Sequence, residues 1–141
     1  MNDQFPERKR MDVSGTTQSF SMDYSTAACL CYLPIPIVGL VAAIIWLITE
    51  PKASLFVRFH AIQSLMVLGG LVGANIVVSL VNFLGFIPII GDVFKFVSGI
   101  LIFAFVGVWF VLTIMLCLKA KSGEMYKLPM VGDIAENLAT N

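Results

Sequence analysis

The sequence predicts an all-α integral membrane bundle, and three observations carry that prediction. Of 141 residues, 58% are apolar and 13% are charged, where a soluble domain of this size carries roughly 25% charge. The charges are also segregated. Seven lie at or before Asp23 and six at or after Lys119, so the 95 residues from Tyr24 to Leu118 hold five: Glu50, Lys52, Arg58, Asp92 and Lys95. Finally, three uncharged apolar stretches are long enough to cross hydrocarbon, which takes about 20 residues at about 1.5 Å each. Every backbone amide in hydrocarbon must be satisfied within its own segment, so these stretches are helices. The same composition excludes a soluble enzyme, a disordered chain and a basic nucleic-acid binder.

Residues 1–23 are polar and rich in Ser and Thr, and read as a disordered, mobile tail. The membrane domain covers residues 24–118. Its first span is placed at 27–48, between Asp23 and Glu50. Pro34 and Pro36 lie inside it and remove two amide donors, so the helix is expected to kink there. A short entry piece with a steep helix, or a re-entrant hairpin, are the alternatives, and a hairpin would reverse the side of the N-terminus. The second span is placed at 61–83, because Gly85 and Pro88 break the 31-residue uncharged run that follows His60. The third runs over 96–118, between Lys95 and Lys119. Residues 119–141 form a polar tail with a short interfacial helix carrying Ile134 and Leu138 on one side.

The apolar stretch starts too late and runs too long for a cleavable signal. Ala27-Ala28-Cys29 is no lipoprotein site, because its apolar run follows the cysteine. With three spans, Arg8, Lys9, Arg10 and Lys95 oppose Lys52, Arg58, Lys119, Lys121 and Lys127. Arg8–Arg10 lies far from the first span. The positive-inside rule then places the N-terminus outside and the C-terminus in the cytoplasm of a bacterial inner membrane.

The second span has two faces. At 100° per residue, His60, Ser64, Asn75, Ser79 and Asn82 share one arc, and Gly69 and Gly73 form a small-xxx-small pair opposite. Small residues let helix backbones approach, and polar ones hydrogen-bond across helices. Both faces are read first as packing this bundle together. The sharper alternative gives one face to a homo-oligomer and the other to a wet path. Ahead of this span, Ser54 is placed to cap the helix. Arg58 and His60 sit at headgroup level with Phe56 and Phe59 anchoring in the interface. Arg58, His60 and Gln63 do not share one helical face.

Pro-aliphatic-aliphatic-Gly occurs at Pro36–Gly39, Pro88–Gly91 and Pro129–Gly132. The last two continue into Asp92 and Asp133, which suit helix starts. Asp92 pairs naturally with Lys95 at i+3. With no acid inside the spans, an ion-coupled pump is disfavoured. Cys29, Cys31 and Cys117 read as buried inert thiols. The third span is aromatic (Phe96, Phe103, Phe105, Trp109, Phe110), with Gly99 and Gly107, and reads as packing and lipid contact. No CxxC pair, nucleophile elbow, phosphate loop or zinc-protease helix is present, so no catalytic residue, metal ligand or cofactor is expected.

Cys31-Tyr32-Leu33-Pro34, Val57-Arg58-Phe59-His60-Ala61-Ile62-Gln63-Ser64 and Tyr126-Lys127-Leu128-Pro129-Met130-Val131-Gly132-Asp133-Ile134-Ala135 resemble a family. It is a widespread group of small bacterial membrane proteins of uncharacterised function, similar to the Tic-twenty component of chloroplast protein import. The resemblance spans about residues 27–136. It implies a four-helix membrane protein in an import complex, with a proposed channel role; three spans here depart from that by one. It also singles out Arg58, Phe59, His60, Gln63, Tyr126, Pro129, Gly132 and Asp133 as partner or lipid contacts, and suggests that His60 and Asp133 meet. Gly69, Gly73, Asn75, Ser79 and Asn82 are the helix-packing set.

The sequence therefore predicts a non-enzymatic subunit, acting as a homo-oligomer or an accessory part of a larger membrane complex, in contact with lipid. No nucleic acid or small-molecule substrate is expected. The alternatives are a transport or translocation component and, last, an intramembrane enzyme using His60 or a cysteine.

Overall fold

A computed structural model describes residues 13–83 and 91–140, together with the backbone of Lys9–Arg10. In chain order the elements are β1 (Lys9–Arg10), α1 (Tyr24–Leu30), α2 (Pro36–Thr49), α3 (Leu55–Phe83), α4 (Gly91–Lys121), β2 (Glu124–Met125) and α5 (Val131–Thr140). Two helices, α3 and α4, are long and apolar enough to cross a membrane, and α2 is a shorter apolar helix. The expected break at Gly85 and Pro88, and the motif residues Pro88, Ile89 and Ile90, lie outside the described residues.

The predicted first span is not one helix. Pro34 and Pro36 push the residues before them out of the α region, and Ile35 sits at φ −118°, ψ 99°. Pro36 then opens α2, where its missing amide costs nothing. The chain turns back between the two pieces. Trp46, near the end of α2, donates its Nε1 to the Ala27 carbonyl of α1 at 3.1 Å. Near the turn, a Cβ on Gly39 would fall 2.8 Å from the Cys31 carbonyl oxygen, so only glycine allows this approach. The α1–α2 pair is thus a helical hairpin rather than a kinked rod.

α3 starts earlier than predicted, at Leu55, and takes in Arg58 and His60. The Arg58 guanidinium does not end the apolar helix because the fold gives its Nη1 two acceptors, although its buried Nε has no hydrogen bond among the described residues. Its Nη1 donates to the carbonyls of Leu47 and Glu50 at 3.2 and 3.4 Å, covering acceptors that the end of α2 leaves open. Ser54 immediately precedes α3, and its hydroxyl donates to the Pro51 carbonyl at 2.8 Å. At 1.5 Å per residue α3 and α4 are roughly 43 and 46 Å long, more than the ~30 Å core requires.

The chain's two terminal segments meet at one end of the α3–α4 pair. β1 pairs antiparallel with β2, Lys9 opposite Met125 and Arg10 opposite Glu124. The Lys121 ammonium donates to the Thr26 hydroxyl, and Cys29 in α1 is disulfide-bonded to Cys117 in α4. The Gln18 amide donates to Glu50 Oε1 at 2.9 Å, and Thr17 is buried. The part of the N-terminal tail that is described is therefore packed and bonded, where a mobile tail was expected. The expectation of termini on opposite sides is likewise not what these contacts make.

Burial follows the same polarity. Tyr32, Val57, Phe59, His60, Gln63 and Leu116 are fully enclosed, with α1, α2 and α5 wrapped around the start of α3 and the end of α4. Past Ser64, Val78 is the one residue of α3 that is buried among those described.

Candidate functional site: a buried polar junction

The packed end holds a polar junction built from three stretches of chain. From the turn between α1 and α2 comes Tyr32, from α3 come His60 and Gln63, and from the strand-to-α5 link comes the backbone of Tyr126. Tyr32 Oη and His60 Nδ1 share a hydrogen bond of 3.1 Å. Gln63 Nε2 donates to the Tyr126 carbonyl at 3.2 Å. The imidazole also meets the rings of Phe56, Phe59 and Tyr32 edge-on, at centroid distances of 4.6, 5.1 and 5.6 Å. Phe59 is fully buried rather than an interfacial anchor. An enclosed imidazole needs partners for its polar edge; Tyr32 supplies one at Nδ1, while the buried Nε2 has no hydrogen bond among the described residues.

The two boxes singled out in the sequence are joined through Gln63 and Tyr126, but not through His60 and Asp133. Asp133 is exposed and lies 3.9 Å from Lys127, which also pairs with Glu136. His60 lies in the interior, so the suggested His60–Asp133 contact gives way to His60–Tyr32. Gly132 is buried against Lys127, where a Cβ would fall 2.6 Å from the Lys127 Cβ. Pro129 precedes Met130, whose φ of 66° turns the chain into α5. Asp92 pairs with Lys95 at 3.5 Å near the start of α4.

The helix-packing set behaves differently from expectation. A Cβ on Gly69 or Gly73 would meet nothing within 4 Å, and both glycines are exposed. Asn75 donates to its own helix, at the Leu71 carbonyl, 2.9 Å away. With Ser79, Val72, Ile76, Leu80 and Phe83 it lines an open groove of about 520 Å³. Asn82 lies one turn beyond Val78 and is partly buried. The polar arc is thus split, with His60 and Ser64 inside the packed end and Asn75 and Ser79 facing outward. The reading that both faces pack this bundle together is corrected: among the described residues nothing lies within 4 Å of a Cβ at Gly69 or Gly73, and Ser79 is exposed along the groove. A 100° wheel measures angle alone and does not tell how far along α3 its neighbours extend.

Tyr32 and the Cys29–Cys117 bond were not singled out from the sequence, where the three cysteines read as inert thiols. Eighty-eight residues separate the bonded pair, so no local spacing announces it. Cys31 remains a buried free thiol directed at the Ala27 carbonyl, 3.5 Å away. Among the described residues, no three His, Cys, Asp or Glu side chains gather closely enough to hold a metal ion. What the junction does chemically is to tie the α1–α2 turn, α3 and the C-terminal segment into one packed unit.

Comparison with known proteins agrees with a membrane-embedded helical chain. No solved structure matches it. A UPF0132 membrane protein of Methanocaldococcus jannaschii is 38% identical over 118 residues, covering 84% of this chain and 90% of its own. A UPF0132 membrane protein of Archaeoglobus fulgidus is 40% identical over 116 residues, covering 82% of this chain and 94% of its own. Residues 23–135 match the family described as the magnetosome magnetite crystal formation protein family, MamF/MmsF. These matches overturn the Tic-twenty-like resemblance and the import-channel expectation drawn from it, and the two relatives just named are archaeal. The short boxes that suggested it lie within a match covering most of the chain, and the chain belongs to the MamF/MmsF family of membrane proteins.

Proposed function

We propose that this protein is a non-enzymatic membrane subunit that self-associates through the exposed Gly69–Gly73 face of α3 and holds both termini on the cytoplasmic side. The open space above Gly69 and Gly73 carries the proposal. Gly69, Val72, Gly73, Ile76 and Leu80 form one stripe on the side of α3 turned away from buried Val78. Small residues at this spacing let two helix backbones come together in lipid, and no described element of this chain lies against them. A second copy fits best, because a glycine stripe is complementary to itself across a two-fold axis.

The orientation follows from the paired termini. With two crossings, Arg8, Lys9, Arg10, Lys52, Arg58, Lys119, Lys121 and Lys127 share one side, and Lys95 alone is on the other. Eight against one favours a cytoplasmic packed end, where three spans made four against five. Enclosure of His60 behind Tyr32, Phe56 and Phe59 supports a structural and not a catalytic histidine. The family's description concerns magnetite crystal formation; for this chain the geometry supports a part played in the membrane.

Native mass spectrometry from nanodiscs tests the association. The unaltered protein is expected as a defined oligomer. Gly69→Leu with Gly73→Leu should weaken it about tenfold while leaving thermal stability of the subunit unchanged, since both sites face open space. Retention of the oligomer in that variant would refute the glycine interface.

A further inference from the structure

The geometry points to a wedge-shaped protein that prefers highly curved membrane, with its packed end in the convex leaflet. The inference rests on the two-crossing arrangement proposed above and adds a depth argument to it. The turn of the α1–α2 hairpin, at Leu33 and Pro36, lies against Leu65 and Leu68 of α3 and Trp109 and Thr113 of α4. From Arg58 to Leu68 is ten residues, roughly 15 Å of helix, and from Lys121 to Trp109 is roughly 18 Å. Arg58 and Lys121 mark the headgroup level on that side. The turn therefore sits near the middle of a ~30 Å hydrocarbon core.

The other end of the hairpin returns to the surface it came from. Glu50, just past α2, bonds to the Gln18 amide and takes up Arg58 through its carbonyl. α1 is fastened to the last turns of α4 through Cys29–Cys117 and Thr26–Lys121. Four helices thus fill one leaflet, with α5 packed beside them at its surface. Beyond the level of Leu68 and Trp109, α3 and α4 are the only described elements that cross the other leaflet. Many of their side chains there, such as Val72, Ile76, Leu80, Phe96, Ile100 and Phe103, are exposed, while Val78 and Ser98 are buried.

Each helix is about 10 Å across, so the chain displaces about twice as much lipid area from one leaflet as from the other. A flat bilayer must compress lipid on the crowded side, whereas a bilayer convex on that side has the area to spare. Asymmetric insertion is a known source of curvature sensitivity for helices that occupy one leaflet only. Ile134 and Leu138, half-exposed on α5, add apolar area at the same surface.

The test uses the labelled full chain reconstituted into phosphatidylcholine–phosphatidylglycerol vesicles, with protein density read vesicle by vesicle. Density is expected to be roughly threefold higher on vesicles of about 50 nm than of about 400 nm, with the packed end outward on the small ones. Protease protection of tags at each terminus is read in the same preparation. The double variant Pro34→Ala, Pro36→Ala favours a continuous first helix and should flatten the size dependence. Equal density at all sizes with both tags on one face would overturn the wedge and leave the two-crossing arrangement standing. Tags on opposite faces would overturn both.

Discussion

Truncating Trp46 to alanine is expected to loosen the α1–α2 hairpin by about 3–5 kcal/mol, the usual cost of deleting a buried large aromatic side chain. Trp46 is 3% exposed, packs edge-on against Phe20 at 5.7 Å, and donates to the Ala27 carbonyl. The indole is the contact that holds α2 antiparallel to α1 near their outer ends. Trp46→Phe keeps most of the packing and loses the donor, so it should cost only about 1–2 kcal/mol. Unfolding by sodium dodecyl sulfate from mixed micelles reads both values. Equal losses for the two variants would mean that the hydrogen bond, and not the ring's volume, sets the hairpin.

His60→Ala is expected to cost about 2–4 kcal/mol, because it removes an enclosed ring and leaves the Tyr32 hydroxyl buried without its partner. Tyr32→Phe leaves His60 Nδ1 without its hydrogen bond and should cost about 1–3 kcal/mol. Since the two groups bond to each other at 3.1 Å, their losses should not add. A double-mutant cycle using Tyr32→Phe and His60→Leu should return a coupling of about 1 kcal/mol. The corresponding cycle between His60 and Asp133 should return none, as Asp133 faces solvent beside Lys127. Coupling in the second cycle and its absence in the first would reverse the description of the junction.

The helical class and the two long helices were legible because they rest on composition and charge segregation, which act over whole segments. Residues 61–83 and 96–118 fall inside α3 and α4, and both helices extend beyond those bounds. The sequence reading stopped α3 at His60 because a charged or polar residue usually marks the membrane boundary. Here Arg58 Nη1 bonds to carbonyls of Leu47 and Glu50, and His60 Nδ1 to Tyr32. These partners lie 11, 8 and 28 residues away, so local pattern could not reveal them.

Pro34 and Pro36 were read as a kink within one span, with a hairpin among the alternatives, and the chain instead breaks into two helices there. Proline restricts backbone angles but does not set the direction in which the chain continues. That direction comes from Trp46, Gly39 and the Cys29–Cys117 bond, which are tertiary. The orientation argument then depended on it: the nine basic residues divide four to five over three spans and eight to one over two. The glycine pair was legible as a small-residue face; that no described element of this chain lies against it was not, since periodicity on one helix carries no information about the others.

The central claim is that the chain crosses the membrane twice and turns back once, gathering both termini at one surface. Its most direct test is the sidedness of both ends in a single experiment: the full chain carrying distinct epitope tags at each terminus, in right-side-out and inverted membrane vesicles exposed to protease. Both tags are expected to be digested together in inverted vesicles and protected together in right-side-out ones. Digestion of one tag with protection of the other, in either preparation, would restore a third crossing and contradict the account.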